Sequence, residues 1–296
     1  MRELKNATVI AATVLVAFVV TLAGCASPEA IGGFADVAEK ALAGGPPLFD
    51  DLHDSCVRRN SARPGSPILP LFVPPGSKLA PPGDPPSFAA CARFATESQG
   101  LTKISDVLTA YFRAMQQLSA FNTSTVSTAN EAAASNAATI AGLNATQIDS
   151  VSKLSGFVTR VFTESYQRGH LLEYARSADP QVADVTQALD KVISNYLDLL
   201  NEEQQSMTAR YQTVGDTNQN EAVLLLLNRA YLDDLSDIQR HRTAADAYRQ
   251  ALQEIRGGHH KIVQAAPQLR DRQLNLALAP YTSKLTGLLP ALQKPN

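Results

Sequence analysis

The chain has 296 residues, a formal net charge of −2 at pH 7, 45% apolar residues and no tryptophan. That length suffices for one sizeable core or two small ones, and the near-neutral charge offers no global basic field to draw nucleic acid. With aromatics at only 6%, a chain rich in Ala, Leu and Val suits packed helices better than an aromatic-lined groove.

The first residues carry Arg2 and Lys5 against Glu3, and residues 7–24 are uncharged and rich in Val, Ala and Leu. A basic start followed by an apolar run is the pattern of an export signal. The run is close to the ~18-residue lower limit for a spanning helix, so an uncleaved anchor is the alternative. It ends in Leu22-Ala23-Gly24-Cys25, small residues that let a peptidase reach an extended backbone. This ending resembles the lipobox of bacterial lipoproteins, and the resemblance stops there, naming no family for the body that follows. It implies that the Cys25 thiol is diacylated, that residues 1–24 are cut away and that the new amino terminus is acylated. Two or three chains hold firmly, because each buried CH₂ contributes ~0.8 kcal/mol and one chain alone is marginal. Ala26 rather than Asp follows Cys25, which by the same resemblance implies sorting to an outer membrane, facing the periplasm, in a host with two membranes.

With Cys25 acylated, Cys56 and Cys91 are the remaining thiols. In an exported chain such a pair most simply closes on itself, two buried free cysteines being the alternative. No His stands at metal-ligand spacing from either, so no zinc site is expected.

Residues 25–33 read as a lipidated tether and 34–43 as a weak helix closed by Gly44-Gly45-Pro46-Pro47. A second short helix fits 48–60, with Leu48, Leu52 and Cys56 at i, i+4 and i+8. Prolines forbid helix over 63–86, yet Ile68, Leu69, Leu71, Phe72 and Val73 are too apolar for a solvated linker. That segment reads as a loop lying against the helices and pinned by the proposed bridge. Residues 34–86 would thus cap a bundle formed by 87–296.

Within the bundle, one helix is expected over 88–121 with an interruption near Gly100. Residues 122–143 place Val126, Ala129, Ala133, Ala137 and Ile140 on one stripe, whose small side chains either let helices touch or leave a cavity. Asn144 is a candidate cap for a helix burying Ile148, Val151, Leu154, Val158, Val161 and Leu172. Asp179-Pro180 reads as an N-cap and first-turn proline, opening a helix with Val182, Val185, Leu189, Val192, Tyr196 and Leu199 that ends near Gly215. The best-defined helix begins near Gln219 with Leu224, Leu227, Tyr231, Leu235, Ile238, Ala245, Tyr248, Leu252 and Ile255. Their step of about 3.5 residues is the period of left-handed supercoiled packing. Gly257-Gly258 should break or bend it, and Pro280 should interrupt a last helix over 274–292. The sequence has no convincing strand, so an all-α, antiparallel bundle of four or five long helices with a proline-rich cap is expected.

Chemistry is sparse. Glu-x-x-His pairs of the kind that hold di-iron sites, G-x-S-x-G and phosphate loops are all missing from the sequence, so neither metal, cofactor nor enzymatic activity is expected. Asp233, Asp234 and Asp237 read as a solvated helix face, and His259-His260 as part of a surface turn. Arg242, Arg249 and Arg256 recur every seven residues beside the apolar seam. They form a candidate anion strip for a lipid phosphate or an acidic partner, or else the charged flank that coiled coils commonly carry. Tyr166, Tyr196, Tyr211, Tyr231 and Tyr248 fall mainly on buried stripes. The expected function is a membrane-anchored, non-catalytic envelope protein that binds or scaffolds another envelope component. The alternative is a receptor for a small ligand or lipid, with its pocket near 122–143.

Overall fold

The computed structural model describes residues 28–63, 89–119, 144–163, 170–269 and 271–293. Residues 1–24, Cys25, nearly all of the proline-rich run, Tyr166 and the 122–143 stripe lie outside the described residues. Among the described residues the regular elements are seven helices: α1 (Pro28–Leu42), α2 (Gly45–Ala62), α3 (Ala92–Ser119), α4 (Ala145–Thr163), α5 (Leu171–Thr217), α6 (Glu221–Ala265) and α7 (Asp271–Leu292). None of them is long and apolar enough to cross a membrane. The all-α bundle expected from periodicity is the fold observed.

The N-terminal helices belong to the core. Residues 28–33, expected as tether, are the start of α1, because Pro28 sets the first-turn geometry, Glu29 suits the helix dipole, and Ala30, Ile31 and Phe34 bury together. Gly32 lies so close to α3 that a Cβ there would stand 2.0 Å from Ser119 Oγ. In α2 the two prolines occupy the first turn, where no helical N–H is needed, and Leu48, Phe49, Leu52 and Cys56 face inward. α1 packs on α3, α6 and α7, and α2 packs on α3 and α5. A disulfide joins Cys56 of α2 to Cys91 just ahead of α3.

Residues expected to punctuate the helices lie inside them. α3 runs unbroken through a buried Gly100. α5 runs unbroken through Pro180, and Asp179 turns its carboxylate to α6 instead of capping a helix. The proline forfeits a backbone bond at a cost of ~3 kcal/mol, which packing against α4 and α6 offsets. α6 continues through Gly257-Gly258 because neighbours press there: a Cβ on Gly258 would stand 2.3 Å from Phe34 Cε2, and one on Gly257 2.8 Å from Tyr281 Cε1. α7 likewise contains both Pro280 and Pro290. The capping reading does hold at Asn144, whose Oδ1 accepts from the Gln147 backbone N–H at 2.9 Å while its own N–H donates to Gln147 Oε1 at 3.0 Å. Leu172, expected on the helix that Asn144 caps, belongs instead to the first turn of α5, since α4 ends at Thr163.

α5 and α6, of 47 and 45 residues, form an antiparallel hairpin with arms about 70 Å long. Asp179 pairs with His259, Asp190 with Arg249, and Tyr211 with Asp234 along it. α1, the first turn of α2 and α7 cover its lower half: Phe34 lies at Gly258, Gly45 of α2 at Tyr248, and Leu292 ends at Gly44. The supercoil stripe is correspondingly uneven. It is buried from Ile238 downward, but between Met207 of α5 and Ile238 of α6 no residue is buried. The upper hairpin is thus a projecting tip, and the described chain starts, at Pro28, near the opposite end.

Candidate functional site

Asp51 and Arg58 stand seven residues apart on α2, and Tyr196 and Glu203 seven apart on α5, so each pair shares one helix face. The two faces meet as an ionic cluster. Arg58 Nη1 and Nη2 donate to the two Asp51 oxygens at 2.9 Å, while its Nε donates to Glu203 Oε1 at 2.5 Å. Ser55 Oγ donates to Glu203 Oε2 at 2.6 Å, and the Tyr196 hydroxyl to Asp51 Oδ2 at 2.5 Å. Asp51 and Glu203 are 7% and 3% exposed. Burial alone would lower the Arg58 pKa, but bonds and charges from both carboxylates hold it above its ordinary value. Burial first, then Asp51, pushes the Tyr196 phenol up, so it stays a donor. Such a cluster is firm only when complete: losing one partner strands buried charge at a cost of roughly 3 to 5 kcal/mol. His241 borders it, with Nδ1 3.6 Å from Asp51 Oδ2, too far for a hydrogen bond.

A second polar cluster sits at the base. His259, expected on a surface turn, is fully buried, because the uninterrupted α6 carries it inward beside Phe112 and Tyr111. The Tyr111 hydroxyl donates to His259 Nε2 at 2.6 Å. Asp179 can only accept, so His259 Nδ1–H donates to its Oδ1 at 2.9 Å and His260 Nδ1–H to its Oδ2 at 2.8 Å. One carboxylate therefore gathers two adjacent imidazoles. Desolvation lowers the His259 pKa against the pull of Asp179, and the His259 hydrogen bond, against burial, lowers that of Asp179.

Above the ionic cluster, α2, α5 and α6 line a cavity of about 650 Å³ that opens to solvent. Its walls include Val57, Ala62, Met207, Val214, Leu227 and Ile238; Arg58, Glu203 and His241 form its polar floor. Tyr211 and Asp234 line it too, and the Tyr211 hydroxyl donates to Asp234 Oδ2 at 2.8 Å. Burial, then this carboxylate, pushes the Tyr211 pKa up to about 12. Toward the tip a smaller cavity of about 260 Å³ shares Tyr211 and Leu227 and adds Leu224 and Tyr231. Along the same stretch of α6, Leu225, Leu226 and Leu232 are 64%, 69% and 55% exposed.

Of the sequence candidates, Cys56 and Cys91 are joined, and Asn60 Nδ2 lies 3.1 Å from Cys91 Sγ. Arg242 donates to Asn201 Oδ1 and Gln204 Oε1 at 2.7 and 3.0 Å, and Arg249 to Asp190 Oδ1 at 3.2 Å. Those two guanidiniums thus tie α6 to α5. Arg256 lies in the basal half of the same helix. Asp237 pairs with Arg240 and, with Asp234, lines the larger cavity. Sequence reading passed over Asp51, Arg58 and Glu203. The seven-residue spacing of Asp51 and Arg58 beside Leu48 and Leu52 was a usable signal; Glu203, 145 residues from Arg58, had none. Comparison of the chain with protein-family models, curated proteins and solved structures returns no match.

Proposed function

We propose that this chain is a lipid-anchored bacterial envelope protein whose helical domain binds or scaffolds another envelope component through the tip of the α5–α6 hairpin. The exposed Leu225 and Leu226, with Leu232 two turns further along the same helix, carry this reading, since large apolar side chains left in solvent on a projecting element mark a partner site. Orientation supports it as well. Acylation at Cys25, three residues before α1, would put the membrane at the base, so the leucines would stand on the far side of a rod about 70 Å long. By the lipobox resemblance and Ala26, that membrane is the outer one, seen from the periplasm, in a host that has two.

A photo-crosslinking residue placed at Leu225 in the full chain, in intact cells, should capture an adduct of defined mass. The same residue at Leu276, 67% exposed on basal α7, should not. Cys25→Ser should in parallel accumulate as unacylated precursor. Equal capture at both positions, or none at the tip, would refute tip docking. Acylation and cleavage surviving Cys25→Ser would refute the anchor.

A further inference from the structure

Independently of tip docking, we infer that the cavity between α2, α5 and α6 is a binding site for a small organic cation with an apolar body, such as an alkylammonium. Its volume, about 650 Å³, lies in the range of sites that bury small ligands, and its walls of Val57, Ala62, Met207, Val214 and Ile238 would cover an aliphatic or aromatic body.

The sign of the charge follows from what the polar groups already do. Arg58 is the natural receptor for an anion, but four of its N–H···O contacts go to Asp51 and Glu203. Arg210 donates through Nη1 to the Ser61 carbonyl. Carboxylates outnumber guanidiniums: Glu203, Asp234 and Asp237 line the cavity, with Asp51 beneath the floor, against Arg58, Arg210 and the Arg240 that pairs with Asp237, and both Arg210 and Asp233 act on Tyr211. A carboxylate ligand would meet four carboxylates, with the remaining N–H groups of Arg210 to answer it. An ammonium would be drawn to them.

The head group has a place. Tyr211 and Tyr231 pack with ring centroids 5.3 Å apart and planes inclined by 58°. Both line the smaller cavity, which continues the larger one past Tyr211. Tyr211 stays protonated and donates one bond to Asp234 Oδ2, which leaves that carboxylate its charge. Two electron-rich ring systems and one carboxylate are what a weakly hydrated ammonium is attracted to, and the rings discriminate against neutral and anionic heads. The ligand's body would lie toward Met207 and Ile238.

The test uses three probes of equal chain length, hexyltrimethylammonium, hexanol and hexanoate. Each is titrated calorimetrically into the full chain in a non-ionic detergent, against a detergent blank. The expected order is cation, alcohol, carboxylate, with the cation bound at least about ten-fold tighter than hexanol. Asp234→Asn, an exposed and isosteric change, should bring the cation to within about two-fold of hexanol while leaving hexanol unchanged. Tyr231→Leu should weaken the cation alone. Hexanoate binding best, an undiminished cation preference in Asp234→Asn, or no probe binding above the blank would each overturn the inference. So would binding that appears only after Leu71→Asp and Phe72→Asp, since the cavity would then be filled by the chain's own proline-rich run. None of these results bears on crosslinking at Leu225, so the two readings fail separately.

Discussion

His259 shows how one buried side chain can give a helical bundle a pH limit. Its two ring nitrogens are committed to Tyr111 and Asp179, and it is wholly buried among aromatic neighbours. Protonation would put a second proton where the Tyr111 hydroxyl already donates, in a site that disfavours charge. The folded-state pKa accordingly lies below the ordinary 6.5, so the unfolded chain binds the proton more readily. A lowered folded pKa contributes stability that is complete above the unfolded pKa and is lost as pH falls through it toward the folded value. Asp179, also lowered, adds a loss of the same sign below its ordinary 3.8. Melts followed by circular dichroism between about pH 7.5 and about pH 5 should therefore show Tm falling with acid. His259→Gln should lower Tm at the upper pH but flatten that slope. A slope unchanged in the variant would assign the acid sensitivity elsewhere.

The helices themselves are governed by close approach more than by intrinsic propensity. Glycines at 257 and 258 read as breakers in one dimension, and in three they are the places where Tyr281 and Phe34 come within contact of the α6 backbone. Gly258→Ala should therefore destabilise by about 1 to 3 kcal/mol despite alanine's better helix propensity. Gly215→Ala in α5, where a Cβ would meet nothing within 4 Å, should stabilise by up to about 1 kcal/mol. Chemical denaturation of the two variants decides it, and equal signs would show that propensity rules at both. This contrast also marks what the sequence could disclose. A stripe such as Ile238, Ala245, Tyr248, Leu252 and Ile255 repeats a local rule and so announces α6, and Asn144 announces its helix by a cap three residues from its partner. Gly100, Pro180 and Gly258 obey neighbours remote in sequence, as does the ionic cluster joining Arg58 to Glu203, and no local pattern encodes a remote neighbour.

Taken as a whole, the molecule is a core of packed helices at one end and a two-helix projection at the other, with a covalent tie between α2 and the start of α3. The separation of 35 residues between Cys56 and Cys91 implies about 3.5 to 4 kcal/mol from restricting the unfolded chain. Replacing both with Ser should remove roughly that much in denaturant titrations, and protein purified without reductant should resist alkylation at both positions until reduced. Free alkylation without reductant would contradict the bridge.

The uneven burial of the hairpin has a kinetic side. Amides between Met207 and Ile238 are held by a pair of helices with no buried residue between those two positions, so they should exchange with solvent through small local openings. Those around Tyr248 and Ile255, fully buried, should exchange only when the whole core comes apart. A Tm reports the second event. Anything that binds the tip will therefore register as deuterium uptake slowed most over residues 208–237, where local opening dominates, while the melting temperature rises only as mass action on the whole fold requires.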